Sequence, residues 1–395
     1  MKVNKRVLLY FLLAALLSTA VSTLLVCFFG GFASTKAMGA DNSDVRSIYY
    51  HTIANVELKP ELCDRLVLYN PLVHASEEDK CLQLAQGLSI VAEHHPQMVV
   101  FDYILHDTTS FSSSSRNRLV EAIQACVDSG IVFIASEVRD IESGNDFMKF
   151  GSERSFFLEP PYSLDVESAN ALTMFDKLDK VYSDSSLLWL PIAVSRHLPD
   201  CPDRPASFYK NRYLSFAPGV ITTAHRGHTE NDLDALISSK IVLFSDYNQG
   251  DDMHELLSFP VRGIPDADGE SNKKVLVSGA ELLWYSIRDE LDNKWDVEIP
   301  LIYTFIVTFL ITFLYFCCLW RIKLKFAIWG SDGKLSKKLL ESLSCFAHFG
   351  LYEILLLPLL GVILMHSHLV LPVAIPAISL VIVNLCDPLW EANKR

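Results

Sequence analysis

The chain has 395 residues and a net charge of -13, and half of its residues are hydrophobic, an average over two unlike materials. Residues 1–30 and 301–395 each carry +3, so the stretch between them carries -19. A surface that acidic repels nucleic acid and anionic headgroups, which excludes nucleic acid as a partner, and it keeps a domain soluble.

In chain order, the basic start Met1-Lys-Val-Asn-Lys-Arg6 precedes a hydrophobic run from Val7 to Ala33. That run is longer than the ~7–15 residues of a secretory leader and no A-x-A site follows it, so it reads as an uncleaved anchor in membrane lipid. Three further apolar segments lie between Leu301 and Trp390. Residues 1–33 are therefore expected as an N-terminal transmembrane helix and 34–299 as an extracytoplasmic domain. A second transmembrane helix is expected at 300–320, a basic amphipathic linker at 321–344, a transmembrane hairpin at 345–390 and a tail at 391–395. Lys and Arg cluster at Lys2–Arg6, at Arg321-Ile-Lys-Leu-Lys325 with Lys334, Lys337 and Lys338, and at Lys394-Arg395. By the positive-inside rule both termini face the cytoplasm and the large domain faces the periplasm or the outside.

Within 34–299 the apolar run Leu66–Tyr69 is followed by a helical stretch from Glu77 to His94 and a strand-like run from Met98 to Leu105. The next helix spans about Ser115–Ser129: its serines can cap free N–H groups, and Leu119, Ile123 and Val127 recur every four residues. Gly130 ends it and Ile131–Ala135 begins another strand. Residues 137–218 break the rhythm with Pro160-Pro161, Pro199, Pro202 and Pro205 and read as an irregular lobe. The pattern resumes with a helix at Asp232–Ser239, strands at Lys240–Ser245 and Lys274–Val277, and a helix from Gly279 to Leu291. Short apolar strands alternating with amphipathic helices predict an α/β fold, mainly a parallel sheet with helices on both faces.

Three stretches carry a resemblance. Val99-Val-Phe-Asp102 closes a strand-helix-strand unit with an aspartate. Lys240-Ile-Val-Leu-Phe-Ser-Asp246 precedes Gly250-Asp251-Asp252 and Phe259-Pro260, and Val275-Leu-Val-Ser-Gly-Ala-Glu-Leu-Leu283 leads a strand into a leucine-rich helix. Together with one apolar segment before the domain and three after it, these resemble the second family of CHASE-class sensory extracellular domains, associated with cyclases and histidine kinases. The sequence departs from the family at Ser258-Phe259, where a threonine usually precedes the proline, and at Ser278-Gly279, where a histidine commonly precedes alanine. The Pro265-Asp-Ala-Asp-Gly269 turn stands later than its family counterpart. Relatives usually continue into a kinase, cyclase or phosphodiesterase, whereas this sequence stops at Arg395, so the resemblance implies an input domain whose output is a separate signalling or effector protein.

Asp246, Asp251, Asp252 and His254 follow one strand, and Asp102 and His106 follow another. Open parallel sheets bind ligands beyond the C-terminal ends of their strands, so these six are the candidate ligand residues, for a cation or a small polar molecule. His348, Glu353 and Asn384 are the polar groups expected at membrane depth, where ionisable residues are expensive. His225-Arg-Gly-His228 and His94-His95 lack a third ligand at metal-site spacing. There is no phosphate loop, no G-x-S-x-G elbow and no zinc spacing among the nine cysteines, so no catalytic residue, cofactor or metal is expected. A Cys63–Cys81 disulfide stays open, and Cys126 reads as a small buried hydrophobe. The expected function is a non-enzymatic membrane sensor that relays binding to a partner. Alternatives are an oligomeric channel or membrane-disrupting effector lined by the intramembrane polar groups, and a structural anchor docking through 137–218.

Overall fold

The computed structural model describes residues 5–29, 49, 61–71, 77–103, 113–135, 156–157, 188–201, 212–215, 217, 219–247, 253–255, 261–265, 271–274, 276–328, 334–372 and 374–392. The chain divides into two compact units, Tyr50–Asp296 and a second one made of Met1–Tyr49 with Val297–Arg395. The second unit opens with α1 (Lys5–Phe29).

In the first unit β1 (Glu61–Asn70), α2 (Glu77–Glu93), β2 (Met98–Phe101), α3 (Ser113–Asp128) and β3 (Val132–Ala135) follow the expected alternation. Within the expected lobe, β4 (Phe156–Phe157) pairs in parallel with β5 (Leu188–Trp189), and α4 (Leu190–Arg196) and β6 (Arg212–Leu214) follow; the rest of 137–218 falls largely outside the described residues. Then come β7 (Gly219–His225), α5 (Glu230–Ile237), β8 (Ile241–Phe244), β9 (Met253–Glu255), β10 (Val261–Pro265), β11 (Ser271–Lys274), β12 (Leu276–Ser278), α6 (Gly279–Asp292) and β13 (Trp295–Glu298).

Five strands form one sheet in the order β3-β2-β8-β1-β7, with every pairing parallel. Its two faces follow from the two-residue period of a strand. Val67, Tyr69, Val99, Phe101, Val242 and Phe244 share one apolar cluster with Cys81, Leu84 and Leu88 of α2, Leu119, Ile123 and Cys126 of α3, and Leu233 and Ile237 of α5. The alternate residues Leu66, Leu68, Met98, Val100, Ile241 and Leu243 are also fully buried and point the other way, to the face where α6 packs on β1 and β7 and α4 packs on α6. Helices thus cover both faces, as a parallel sheet requires.

Two differences from the sequence reading have physical causes. β7 was not anticipated, because as an edge strand it alternates buried Ile221 and Ala224 with half-buried Val220, Thr222 and Thr223 and so carries no continuous apolar run. The expected strand at Lys274–Val277 is two strands in separate antiparallel pairs, β10 with β11 and β9 with β12, outside the five-stranded sheet. Cys63 and Cys81 are both free, buried thiols. Cys81 belongs to the apolar cluster with α2 and α3, whereas Cys63, buried in β1, lies outside it.

The second unit continues with α7 (Leu301–Ile328), α8 (Lys334–Gly350), a π-helical turn (Leu351–Leu356), α9 (Leu357–Met365), β14 (Leu369–Val370) and α10 (Ala374–Ala392). Val297 and Glu298 of β13 pair in parallel with β14. Among the described residues three helices are long and apolar enough to cross a membrane, over Leu8–Cys27, Leu301–Lys323 and Leu339–Met365, and Ala374–Leu385 is a shorter apolar stretch. The third begins inside the expected 321–344 linker because α8 runs without a break into the π turn and α9. Phe11 stacks on Phe316 at 5.5 Å, and both join Ala15, Tyr315, Leu357, Leu380 and Val383 in one core.

Gly219 marks where α6 comes closest to the sheet: a Cβ there would lie 2.7 Å from Arg288 Nη1 and 3.1 Å from the Trp284 ring. Gly219→Ala is expected to lower stability by about 1–3 kcal/mol through overpacking. Denaturant unfolding of the full chain in detergent, followed by tryptophan fluorescence, checks it.

Candidate functional site

Because the five strands are parallel, their C-terminal ends collect at one edge. β2 leads into Asp102 and Tyr103, β8 into Ser245, Asp246 and Tyr247, β1 ends at Asn70, and β7 leads into Arg226. The edge is stitched by backbone bonds: Asp102 N–H donates to Phe244 C=O at 3.0 Å and Ser245 N–H donates to Tyr69 C=O at 3.1 Å. The Ser245 hydroxyl donates to Asp102 Oδ2 at 2.7 Å, which ties the turns after β2 and β8 together. Asp246 is 7% exposed. Tyr247 hydrogen-bonds to the side chains of Asn70 and Thr223, bridging the ends of β1 and β7, and burial raises its phenol above the usual range.

Aromatic rings floor this edge on the α2 face. Tyr69 stacks on Phe244 at 5.3 Å, Phe244 stacks on Phe101 at 5.6 Å, and Tyr103 meets Phe244 edge-on at 6.0 Å. Tyr103 is 6% exposed, and its hydroxyl has no hydrogen-bond partner among the described residues. Burial first, then the negative charges of Asp246 and Asp102, push that phenol up. Lys80 Nζ lies 5.6 Å from the Tyr103 ring centroid.

Of the six residues expected to bind a ligand, the structure brings Asp102 and Asp246 together on adjacent strand ends. His106, Asp251 and Asp252 lie outside the described residues. His254 is in β9, where its backbone pairs with Val277. Among the described residues no three His, Cys, Asp or Glu side chains converge as a metal site would need. The His225 and His228 rings stack at 4.0 Å, with His228 Nδ1 accepting from His225 N–H, and burial and then the neighbouring His228 lower the His225 pKa. The Tyr103 hydroxyl escaped sequence reading because its isolation is set by what α2 and β8 place around it.

No family model, curated protein or solved structure matches this chain.

A second polar cluster surrounds α6. All residues from Ala280 to Leu291 are buried, including Glu281, Arg288, Asp289 and Glu290. Ser278 caps the helix: Glu281 N–H donates to its hydroxyl at 3.2 Å, and Glu281 Oε2 accepts from Ser278 N–H at 2.8 Å. This S-x-x-E capping box is legible at Ser278–Glu281. Glu281 Oε1 also accepts from Ile264 N–H at 2.8 Å, holding β10 to the helix. Arg288 pairs with Asp289 Oδ1 and donates to Ala217 C=O at 2.6 Å and Ser215 C=O at 2.7 Å. Glu290 accepts from the Ser195 hydroxyl of α4 at 3.1 Å. Desolvation raises the Asp289 pKa to about 7 against the opposing pull of Arg288.

In the helical unit Asn384 Oδ1 accepts from the Tyr315 hydroxyl at 2.7 Å, and the His348 ring stacks on Tyr315 at 5.0 Å. Two of the three expected intramembrane polar residues thus meet at one tyrosine. Glu353 sits in the π turn, and its Oε1 has no hydrogen-bond partner among the described residues. A hydroxyl seam joins three helices: Thr312 and Ser379 lie 3.0 Å apart, and Ser379 donates to Ser18 at 3.3 Å. Thr304, Thr308 and Thr312, spaced by four on α7, are all fully buried, a signal present in the sequence.

Two outcomes are expected. An acid whose folded pKa is raised holds its proton in the folded chain where the unfolded chain has lost it, so its contribution to stability falls as pH rises from about 4 to about 7. A pH series of unfolding midpoints should show that decline, with Asp289→Asn reducing it. Thr312→Val with Ser379→Ala should weaken the helical unit by about 0.6 kcal/mol per lost interhelical bond, read by unfolding in mixed micelles.

Proposed function

We propose that the chain is a multi-pass membrane sensor without catalytic chemistry of its own, binding a small ligand through the α/β unit and relaying the event to a separate partner protein. In this reading the α/β unit is extracytoplasmic and both termini are cytoplasmic, in accord with the basic residues at Lys2–Arg6, Arg321–Lys325 and Lys394-Arg395. The α10 helix serves as the fourth crossing; its 19 residues extend about 28 Å, close to the thickness of a bilayer core.

The observation that carries the reading is the C-terminal sheet edge. There Asp102, Ser245 and Asp246 stand at the ends of the adjacent strands β2 and β8, in the same chain as three apolar helices of membrane-crossing length. Ligands bind at such edges because the strand ends leave polar backbone and short turns uncovered by the helices. The covalent route onward is short: α6 ends at Asn293 in a left-handed conformation, and residues 294–300 lead into α7. A ligand shifts such a system only through different affinities for two arrangements, and the buried Arg288–Asp289 pair is a contact that can differ between them. The intramembrane hydroxyls bond to one another and to their own helices, which favours packing over an aqueous path.

Crosslinking in the native membrane should capture a defined partner. With Phe11→Cys and Phe316→Cys as reporters, Arg288→Met should change the efficiency of disulfide formation between α1 and α7. Recovery of the chain alone, with identical reporter crosslinking in both backgrounds, overturns the sensor reading.

A further inference from the structure

We propose that the span formed by α8, the π turn and α9 docks in the membrane against a helix of another protein that carries a lysine or arginine at mid-bilayer depth, with Glu353 as the anionic half of the pair. This rests on the sensor reading and describes, by its chemistry, the separate partner which that reading calls for.

The depth of Glu353 follows from the continuity of the third membrane-length span. α8, the π turn and α9 run together over Leu339–Met365, so at a rise of ~1.5 Å per residue Glu353 stands about 21 Å from one end and about 18 Å from the other. A carboxyl at the centre of a bilayer is costly, and such groups are retained where they find a partner. This one finds none in its own chain. Among the described residues its Oε1 is enclosed yet accepts from no donor, and the side chain makes no ion pair.

Pro358 adds a second unmet acceptor. It stands in the first turn of α9 and has no N–H to give to the π turn before it, so a backbone carbonyl of that turn loses its helical donor. In lipid, groups freed in this way are satisfied by a neighbouring helix. A carboxyl and a carbonyl without donors, side by side at mid-span, are complemented by a group with several N–H donors and a positive charge.

The span is open to such a helix on one side. Leu357 packs into the core with Phe11 and Leu380, whereas Ile354 and Leu355 are 79% and 56% exposed. Glu353 is half-buried between them, at the border of an uncovered apolar face.

A second copy of this chain cannot supply the cation. Its apolar spans carry Lys or Arg only at one end of α7, as Arg321 and Lys323. The His348 ring is held between the rings of Tyr315 and Tyr352. Charge complementarity therefore selects a different protein.

The test uses the full chain in phosphatidylcholine liposomes, with three synthetic membrane-spanning polyleucine peptides that differ only in a central lysine, glutamate or leucine. Energy transfer from a fluorophore on the peptide to one on the chain reads association. The lysine peptide should associate about tenfold or more tightly than the leucine peptide. Glu353→Gln should remove that preference and Glu341→Gln, at the end of the span, should leave it, a contrast that a general loosening of the helices would not give. Cysteines placed at Ile354 and beside the peptide's lysine should form a disulfide. Association with the leucine peptide gives each variant its own reference, so a poorly folded variant is recognised by its loss. Equal association of the lysine and leucine peptides, a preference that survives Glu353→Gln, or tighter association of the glutamate peptide, as carboxyl pairing between two copies of this chain predicts, overturns the proposal. Docking of the lysine peptide with no partner captured and α1–α7 crosslinking unchanged would leave this face standing and sink the sensor reading, whereas capture of a partner that survives Glu353→Gln would do the reverse.

Discussion

Parallel pairing of β3, β2, β8, β1 and β7 requires apolar cover on both faces of the sheet, and most of the α/β unit follows from that requirement. One face is closed by α2, α3 and α5, which interlock with Val67, Tyr69, Val99, Phe101, Val242 and Phe244. The other is closed by α6, which approaches so nearly that a Cβ at position 219 would crowd Arg288 and Trp284. With both faces sealed, the strand ends are where polar side chains gather. Asp102 and Asp246 stand there because one is the first residue past β2 and the other the second past its neighbour β8.

The cost of sealing the second face with α6 is that four ionisable side chains are buried with it. Each is held by specific geometry: Glu281 by the capping box and Ile264, Arg288 by Asp289 and two carbonyls, and Glu290 by Ser195. Buried ion pairs of this kind add little net stability, since desolvation offsets their attraction, but breaking one is expensive. They fix one register of α6 on the sheet and make that register sensitive to the protonation of Asp289. In the sensor reading, this is the element next to the chain's passage into α7.

The helical unit solves a related problem with weaker bonds. Where lipid surrounds a helix, apolar contact alone does not choose its partner, so close packing and hydroxyl bonds do. Ser18, Thr312 and Ser379 supply those bonds among α1, α7 and α10, and Phe11 on Phe316 supplies the packing.

The alternation of strands and helices in the α/β unit, the apolar helices and the chemical type of the edge residues could all be read in one dimension. Each depends on local periodicity or on runs of one residue class, as with Met98–Phe101 and Ile241–Phe244. The edge strand β7 could not, because half of its residues stay partly wet, and the sheet order could not, because β8 inserts between β1 and β2 from more than a hundred residues away. That Cys81 joins the apolar cluster while Cys63 stays outside it, and that the Tyr103 hydroxyl is isolated, were likewise decided only in three dimensions. Sequence by itself determines which residues have to be buried and which can bind. Tertiary structure decides which face each one is buried on and which polar groups are left facing one another, because those depend on contacts between segments distant along the chain.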